Sequence, residues 1–268
     1  MLEHYLRTRL VLDHVTVSAV PQETRDRLSE IRERIHPSVD PPPAVRELLP
    51  GIRAPGPSPD LRAQRLLAAL SHVEDGLGAV HYHRARISEL EARITAYCRS
   101  ALRDMGSLPG STAGVRVPLL GYEYAAFLLA VRRTLDYLAG GVAALHGSQC
   151  GSIRKLARSL RNADPGVRAA VDQELVSGLP ELGRVVRAGD EQSVRDRVAH
   201  YESVDPGTLN IHWTPDGQVT LTLVGGAEEL PSLAEADSDT PLAEQLGVLI
   251  EATERFVFRL CDAATRDS

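Results

Sequence analysis

The chain has 268 residues, a formal net charge of −6 and three cysteines without C-x-x-C spacing. Its length suffices to bury a sizeable core without disulfide or metal staples, and its acidic balance disfavours a general coat protein for nucleic acid. Any RNA site must therefore be local. The charged N-terminal stretch and the lack of an 18-residue apolar run predict a soluble, cytoplasmic protein with no membrane partner.

The first 60 residues divide into a helical part and a proline-rich part. Apolar residues within 1–36 recur at helical spacing and predict one or two amphipathic helices, interrupted near Pro21. Eight prolines between 37 and 59 disfavour a compact element there. We expect an N-terminal helical segment 1–36, a linker 37–60 and a helical domain 61–268.

Two long helices are predicted after the linker. Asp60 is placed to cap a helix over 61–105, whose apolar residues recur at three- and four-residue steps. A loop rich in glycine, serine and proline follows it. The second helix is predicted over 118–145 and contains the segment Leu-Asp-Tyr-Leu at 135–138.

The remaining elements are shorter. Helices are predicted over 151–162, 165–176 and 181–201, the last with a break at 189–190. Alternating residues around the turn Thr-Pro-Asp-Gly predict a β-hairpin at about 209–224, and a final helix is predicted over 241–264. The predicted fold is a mainly α-helical bundle with a small β-hairpin appendage.

The segment 190–201 would form a helix with one apolar and one polar side. Its core stripe comprises Val194, Val198 and Tyr201. Its polar side carries Arg195, Asp196, Ala199 and His200. Because the alanine between the charged groups is small, a phosphate or a second helix has room to approach this side.

The polar side of that segment has the residue types needed to cleave RNA. An imidazole with an ordinary pKa near 6.5 suits His200 to acid–base catalysis, and the guanidinium of Arg195 suits phosphate binding. Asp196 precedes His200 by four residues and is within reach of its ring, while Glu191 stands in the same relation to Arg195. The alternative is an ordinary solvated helix face.

Arg195, the polar Asp196 and His200 resemble the R-x4-H signature of HEPN domains, the helical "higher eukaryote and prokaryote nucleotide-binding" superfamily. The upstream segment 124–138 resembles the long helix that such proteins pack against the signature helix. The similarity covers about 118–201. In one departure, a subgroup of HEPN toxins has a tyrosine two positions after the histidine, whereas here Tyr201 follows directly.

The resemblance implies a metal-independent endoribonuclease without a cofactor, acting as a toxin or defence effector restrained by a protein antitoxin or regulator. It also implies a homodimer in which two copies of the Arg195, Asp196 and His200 site face each other. The alternative is a non-catalytic HEPN-like module that binds RNA, a nucleotide or a protein partner, or a helical interaction protein.

Two further sets of residues are candidates. Asp136, between apolar neighbours, is predicted to make a supporting polar contact if buried, with Arg133 as a possible partner, or else to be exposed. A basic stripe would form if 151–161 is helical, and it either contacts RNA phosphates or is a solvated face. The stripe comprises Arg154, Lys155, Arg158 and Arg161.

Other chemistries are disfavoured. His81 and His83 would point about 200° apart on a helix, which is wrong for sharing a metal ion, so no metal site is expected. The glycine-rich pieces lack the order of a phosphate-binding loop, and no G-x-S-x-G motif is present. Trp213 either stacks a base or packs over a helix.

Overall fold

The computed structural model describes residues 20–36, 60–104, 112–115, 117–183, 185–186, 208–213, 219–224 and 242–265. This part of the chain is mainly helical, as predicted. The helices are α1 Gln22–Ile35, α2 Leu61–Asp104, α3 Pro118–Leu145, α4 Leu156–Ser159, α5 Pro165–Gly178 and α6 Leu242–Ala264. Single 3-10 turns lie at Ile153–Lys155 and Pro180–Leu182.

Helices α2 and α3 form the centre of the molecule and run antiparallel. Asp60 accepts a hydrogen bond from the Ala63 backbone N–H at 2.7 Å and begins α2, as predicted. The predicted bounds of both helices are confirmed to within a residue. A Cβ added at Gly141 would lie 2.5 Å from the Ala69 Cβ, so glycine permits the close crossing. Most of the apolar residues of α2 at three- and four-residue steps are buried in the core that α3 and the other helices complete.

Helix α6 packs against α2, α3, α5 and α1 and completes the core. Helix α1 is tied to α6 by polar contacts as well. Arg27 donates to the Asp262 carboxylate at 2.9 Å, Arg34 donates to the same carboxylate, and Thr24 donates to Glu254 at 2.9 Å. Because 37–59 lies outside the described residues, the division into segment, linker and domain stays a prediction.

A three-stranded antiparallel sheet accompanies the helices, in the order β1 Thr112–Val115, β2 Thr208–Trp213 and β3 Val219–Val224. Strand β3 lies against α2 and α6. The predicted loop at 112–115 is wrong, because β1 pairs with β2 there, Thr112 opposite His212. Four residues of the composition Thr-Ala-Gly-Val give no local strand pattern, and their extended form depends on a partner nearly 100 residues away.

The predicted helix over 181–201 is wrong at its start. After the 3-10 turn Pro180–Leu182 the chain turns instead of continuing as a helix, and the N–H groups of Val185 and Val186 both donate to the Leu182 carbonyl at 2.9 Å. The side chains of Leu182, Val185 and Val186 are all buried. The turn is favoured because it places each of them in the core. Within the described residues no helix is long and apolar enough to cross a membrane.

Candidate functional site

Four of the predicted site residues lie outside the part of the chain that the structure describes. They are Glu191, Arg195, Asp196 and His200. Their proposed roles therefore stay predictions. The structure does place Asp136, the basic stripe and the surface of the α2–α3 pair.

Asp136 is the centre of a polar cluster at the side of α3. Its Oδ2 accepts from Nε of Arg132 at 3.0 Å, and its Oδ1 accepts from the Ile153 backbone N–H at 2.9 Å. Nη2 of Arg132 donates to Ser152 Oγ at 2.7 Å. Asp136 therefore has polar partners, and only 23% of its side chain is exposed. Its support of the Arg195, Asp196 and His200 site stays a prediction.

The predicted partner within the helix, Arg133, is wrong. Both arginines are within one helical turn of Asp136, and it is the buried Arg132 that bonds it. Arg133 is exposed, and its Nε and Nη2 donate to Tyr137 Oη at 3.0 and 2.8 Å. The cluster that Asp136 forms joins α3 to the chain at 152–153, which precedes the basic stripe.

Arg132 lies in an enclosed position, since its side chain is only 5% exposed. Among the described residues, Asp136 is the carboxylate that pairs with Arg132. The Nη1 atom of Arg132 has no hydrogen-bond partner there. A buried guanidinium is costly to leave unpaired, so this pair makes Asp136 necessary for the fold at this point.

A groove of about 750 Å³ opens between α2 and α3, and we name it the α2–α3 groove. Small residues of both helices are part of its lining. They are Ala68, Ala69, Gly140, Gly141 and Ala144. Cys150 and Gly151 line it beside α3. A second part of about 360 Å³ continues along α2 and shares His72, Leu129, Arg133 and Tyr137 with the first.

Two rings and a guanidinium meet where the two parts join. The rings of His72 and Tyr137 are stacked, with centroids 4.8 Å apart and planes at 26°. The guanidinium carbon of Arg133 lies 5.2 Å from the Tyr137 centroid. The hydrogen bonds from Arg133 to the phenol oxygen fix the tyrosine ring, and His72 is left exposed in the groove.

The larger part of the groove is locally positive although the whole chain is acidic. Arg65 and Arg133 both line it and are exposed, and neither pairs with a carboxylate among the described residues. The acidic lining residue there, Asp136, is already neutralised by Arg132. Asp75 lines only the second, smaller part. An anion is therefore favoured in the larger part.

The predicted basic stripe begins three residues after the groove lining at Gly151. All four of its residues are exposed. Helical structure extends over 153–159, so Arg154, Lys155 and Arg158 share a helical segment, while Arg161 lies in the turn after it. Contact of this stripe with RNA stays a prediction.

The two histidines of the His-Tyr-His segment bond to different helices. His81 Nε2 lies 3.0 Å from Glu254 Oε1 on α6, and His83 Nδ1 lies 2.7 Å from Glu123 Oε2 on α3. Within the described ranges, no group of three or more His, Cys, Asp or Glu residues is arranged to hold a metal ion. These imidazoles therefore act as links between helices.

Burial shifts the ionisation of three other side chains. Burial lowers the pKa of His146, against the opposing effect of its hydrogen bond to the Ala264 carbonyl at 3.2 Å. Burial likewise raises the pKa of the Cys98 thiol, and it raises the pKa of Cys261 to about 12. All three cysteines, including Cys150 at the groove, are free thiols.

Sequence reasoning missed the groove and its residues Arg65, His72 and Tyr137. A sequence signal for a close approach of α2 and α3 was present in the small residues at 68–69 of α2 and 140–141 of α3. These residues face each other only in the antiparallel register of the two helices, which the sequence does not show. Comparisons of the chain with family models, with curated proteins and with solved structures give no match.

Proposed function

We propose that this protein is a metal-independent endoribonuclease of the HEPN type, acting as a toxin or defence effector that a protein partner restrains. The observation that carries the proposal is the Arg195-x4-His200 pattern downstream of α3, a helix whose Asp136 and Tyr137 line an arginine-containing groove. The similarity between 118–201 and HEPN domains supplies the reaction type.

The proposed chemistry needs no metal ion because RNA carries its own nucleophile. His200 takes the proton from the 2′-hydroxyl, whose oxygen attacks the adjacent phosphorus. Arg195 stabilises the charge that develops on the phosphorane oxygens. The 5′-oxygen then leaves and takes up a proton, so the products are a 2′,3′-cyclic phosphate and a 5′-hydroxyl end.

The proposal includes a homodimer, in which two copies of the Arg195, Asp196 and His200 site face each other in the cytoplasm. A symmetric contact of this kind duplicates the catalytic groups. We also propose that the hairpin at 209–224 is an appendage to this dimer of helical bundles. Light scattering that finds a monomer at tens of micromolar would count against the composite site.

The test is RNA cleavage by purified protein in EDTA. His200→Ala and Arg195→Ala should each slow cleavage about a hundredfold or more, and DNA should stay intact. The cleaved ends should carry 2′,3′-cyclic phosphate. Arg99→Ala is the matched control, because Arg99 is exposed near the far end of α2, and its rate should equal that of the unmodified protein.

The second candidate function is a non-catalytic module that binds RNA or a nucleotide. The net charge of −6 and the ligand-sized α2–α3 groove favour it. If the protein binds RNA but cleaves none, or if His200→Ala retains full activity, this second function replaces the first.

A further inference from the structure

The α2–α3 groove has the size and the lining of a ligand site. Small-molecule sites occupy roughly 300–1,000 Å³ and combine apolar walls with a few polar groups. Here the walls are alanines, glycines and Leu129. The polar lining groups are Arg65, His72, Arg133, Tyr137, Cys150 and Asp136, the last of which is paired with Arg132.

The charges of the groove favour an anion with a planar group. Arg65 and Arg133 have no carboxylate partners in the described structure, and the fork of Arg65 has the geometry that suits phosphate oxygens. Arg133 uses Nε and Nη2 on Tyr137 Oη, so its Nη1 is the group that would donate to a phosphate. The stacked His72 and Tyr137 provide an aromatic platform beside Arg133. Aromatic platforms next to cations are the common arrangement for holding an unpaired base and its phosphate.

The spacing along α2 favours more than one phosphate. Arg65 precedes His72 by seven residues, which corresponds to about 10 Å along a helix. Arg133 lies beside the ring pair, one turn before Tyr137 on α3. One phosphate can thus lie next to the stacked rings while a second lies about two helical turns away, near Arg65.

We infer that the α2–α3 groove binds a nucleotide, with its base against His72 and Tyr137 and its phosphates at Arg133 and Arg65. This rests on the proposed function in that the nucleotide is taken to be part of a single-stranded RNA. The groove lining includes Asp136 of α3 and ends in sequence at Gly151, three residues before the exposed cations at 154–161, which would contact neighbouring phosphates of the strand.

Binding is measured by fluorescence anisotropy with a labelled ten-nucleotide single-stranded RNA, in EDTA and in a His200→Ala background so that the probe is not cut. Arg65→Gln with Arg133→Gln should weaken binding at least tenfold and reduce its dependence on salt concentration. His72→Ala should weaken it several-fold. Arg99→Gln, which removes a single positive charge on α2 outside the groove, should leave the affinity unchanged.

Two further arms identify the source of the nucleotide. Competition by unlabelled AMP at concentrations similar to those of the RNA would assign the groove to free nucleotides, whereas tighter binding of the RNA by tenfold or more assigns it to a strand. In either case, the groove substitutions at Arg65, His72 and Arg133 must weaken binding for the ligand to be assigned to the groove. Thermal unfolding of each variant should match that of the background, since Arg65, His72 and Arg133 are exposed.

The inference is overturned if RNA and AMP both fail to bind, or if Arg99→Gln weakens binding as much as the groove substitutions do. Its failure is distinguishable from failure of the proposed function. If cleavage depends on His200 but not on the groove residues, the ribonuclease proposal stands and nucleotide binding in the groove fails. If RNA binding depends on the groove residues but the protein never cleaves RNA, the groove inference stands and the ribonuclease proposal fails.

Discussion

At the scale of single residues, the neighbouring arginines 132 and 133 have opposite roles. Arg132 is buried and bonds Asp136 and Ser152, whereas Arg133 is exposed and holds Tyr137. The difference follows from the 100° that separates successive residues of a helix. Asp136 accepts from both the arginine and the Ile153 backbone, so it fixes the chain that leaves α3.

Asp136→Ala should lower the free energy of unfolding by about 3 kcal/mol, because it leaves the buried Arg132 and the Ile153 N–H without their acceptor. Asp136→Asn should cost less, since the amide oxygen still accepts from Ile153. Urea denaturation measures both. Asp75→Ala, at an exposed aspartate of α2, should change stability by less than about 0.5 kcal/mol. Equal effects at 75 and 136 would contradict the role of the cluster.

At the scale of helices, the closeness of α2 and α3 depends on glycine. A Cβ at Gly76 would overlap Thr134 Oγ1, and that hydroxyl is held by its own hydrogen bond to the Ala130 carbonyl at 2.9 Å. Thr134 is fully buried and has no room to turn away. By contrast, a Cβ at Gly78 would meet the Val20 side chain at an ordinary 3.5 Å.

Gly76→Ala should therefore destabilise the protein by about 1–3 kcal/mol through overpacking at the helix crossing. Gly78→Ala, two residues away on the same helix, should instead stabilise it by about 0.5–1 kcal/mol, the usual gain in a helix interior. Thermal or urea unfolding of the two variants gives the comparison. If both were stabilising, α2 and α3 would have to cross at a greater distance than described.

The long helices were predictable from sequence because their signals are local. Asp60 caps α2, and the buried Leu66, Leu70 and Val73 recur at helical spacing. Strand β1 and the turn at 185–186 were not predictable, since distant partners and burial determine them. Predicting the groove requires the alignment of α2 with α3, and no local sequence pattern shows that alignment. Asp136 was found because an acidic residue among leucines must be paired if it is buried.

At the scale of the whole molecule, His146 links the end of α3 to α6. Its Nε2 lies 3.2 Å from the Ala264 carbonyl, and burial lowers its pKa. The neutral ring is thus favoured in the folded protein, and the unfolded chain takes up a proton first as the pH falls. The contribution of His146 to stability is full above its ordinary pKa of 6.5 and decreases below it.

Urea unfolding between pH 8 and pH 5 should show this loss as a difference between the unmodified protein and His146→Gln. The glutamine amide can still donate to the Ala264 carbonyl but does not titrate. On acidification below about pH 6.5, the unmodified protein should lose stability faster than the variant. A difference that is independent of pH, or that favours the unmodified protein in acid, would contradict a lowered pKa.

The contacts between α1 and α6 can form only late in synthesis, after the ribosome has made α6. Arg27 and Asp262 are 235 residues apart in the chain. At the usual 5–20 residues per second, a ribosome needs roughly 10–50 s to make the chain between them. Throughout that interval α1, whose Leu28 and Ile31 are fully buried in the finished fold, lacks its contacts with α6. The nascent chain therefore has a long period in which a holding chaperone would find a binding site on α1.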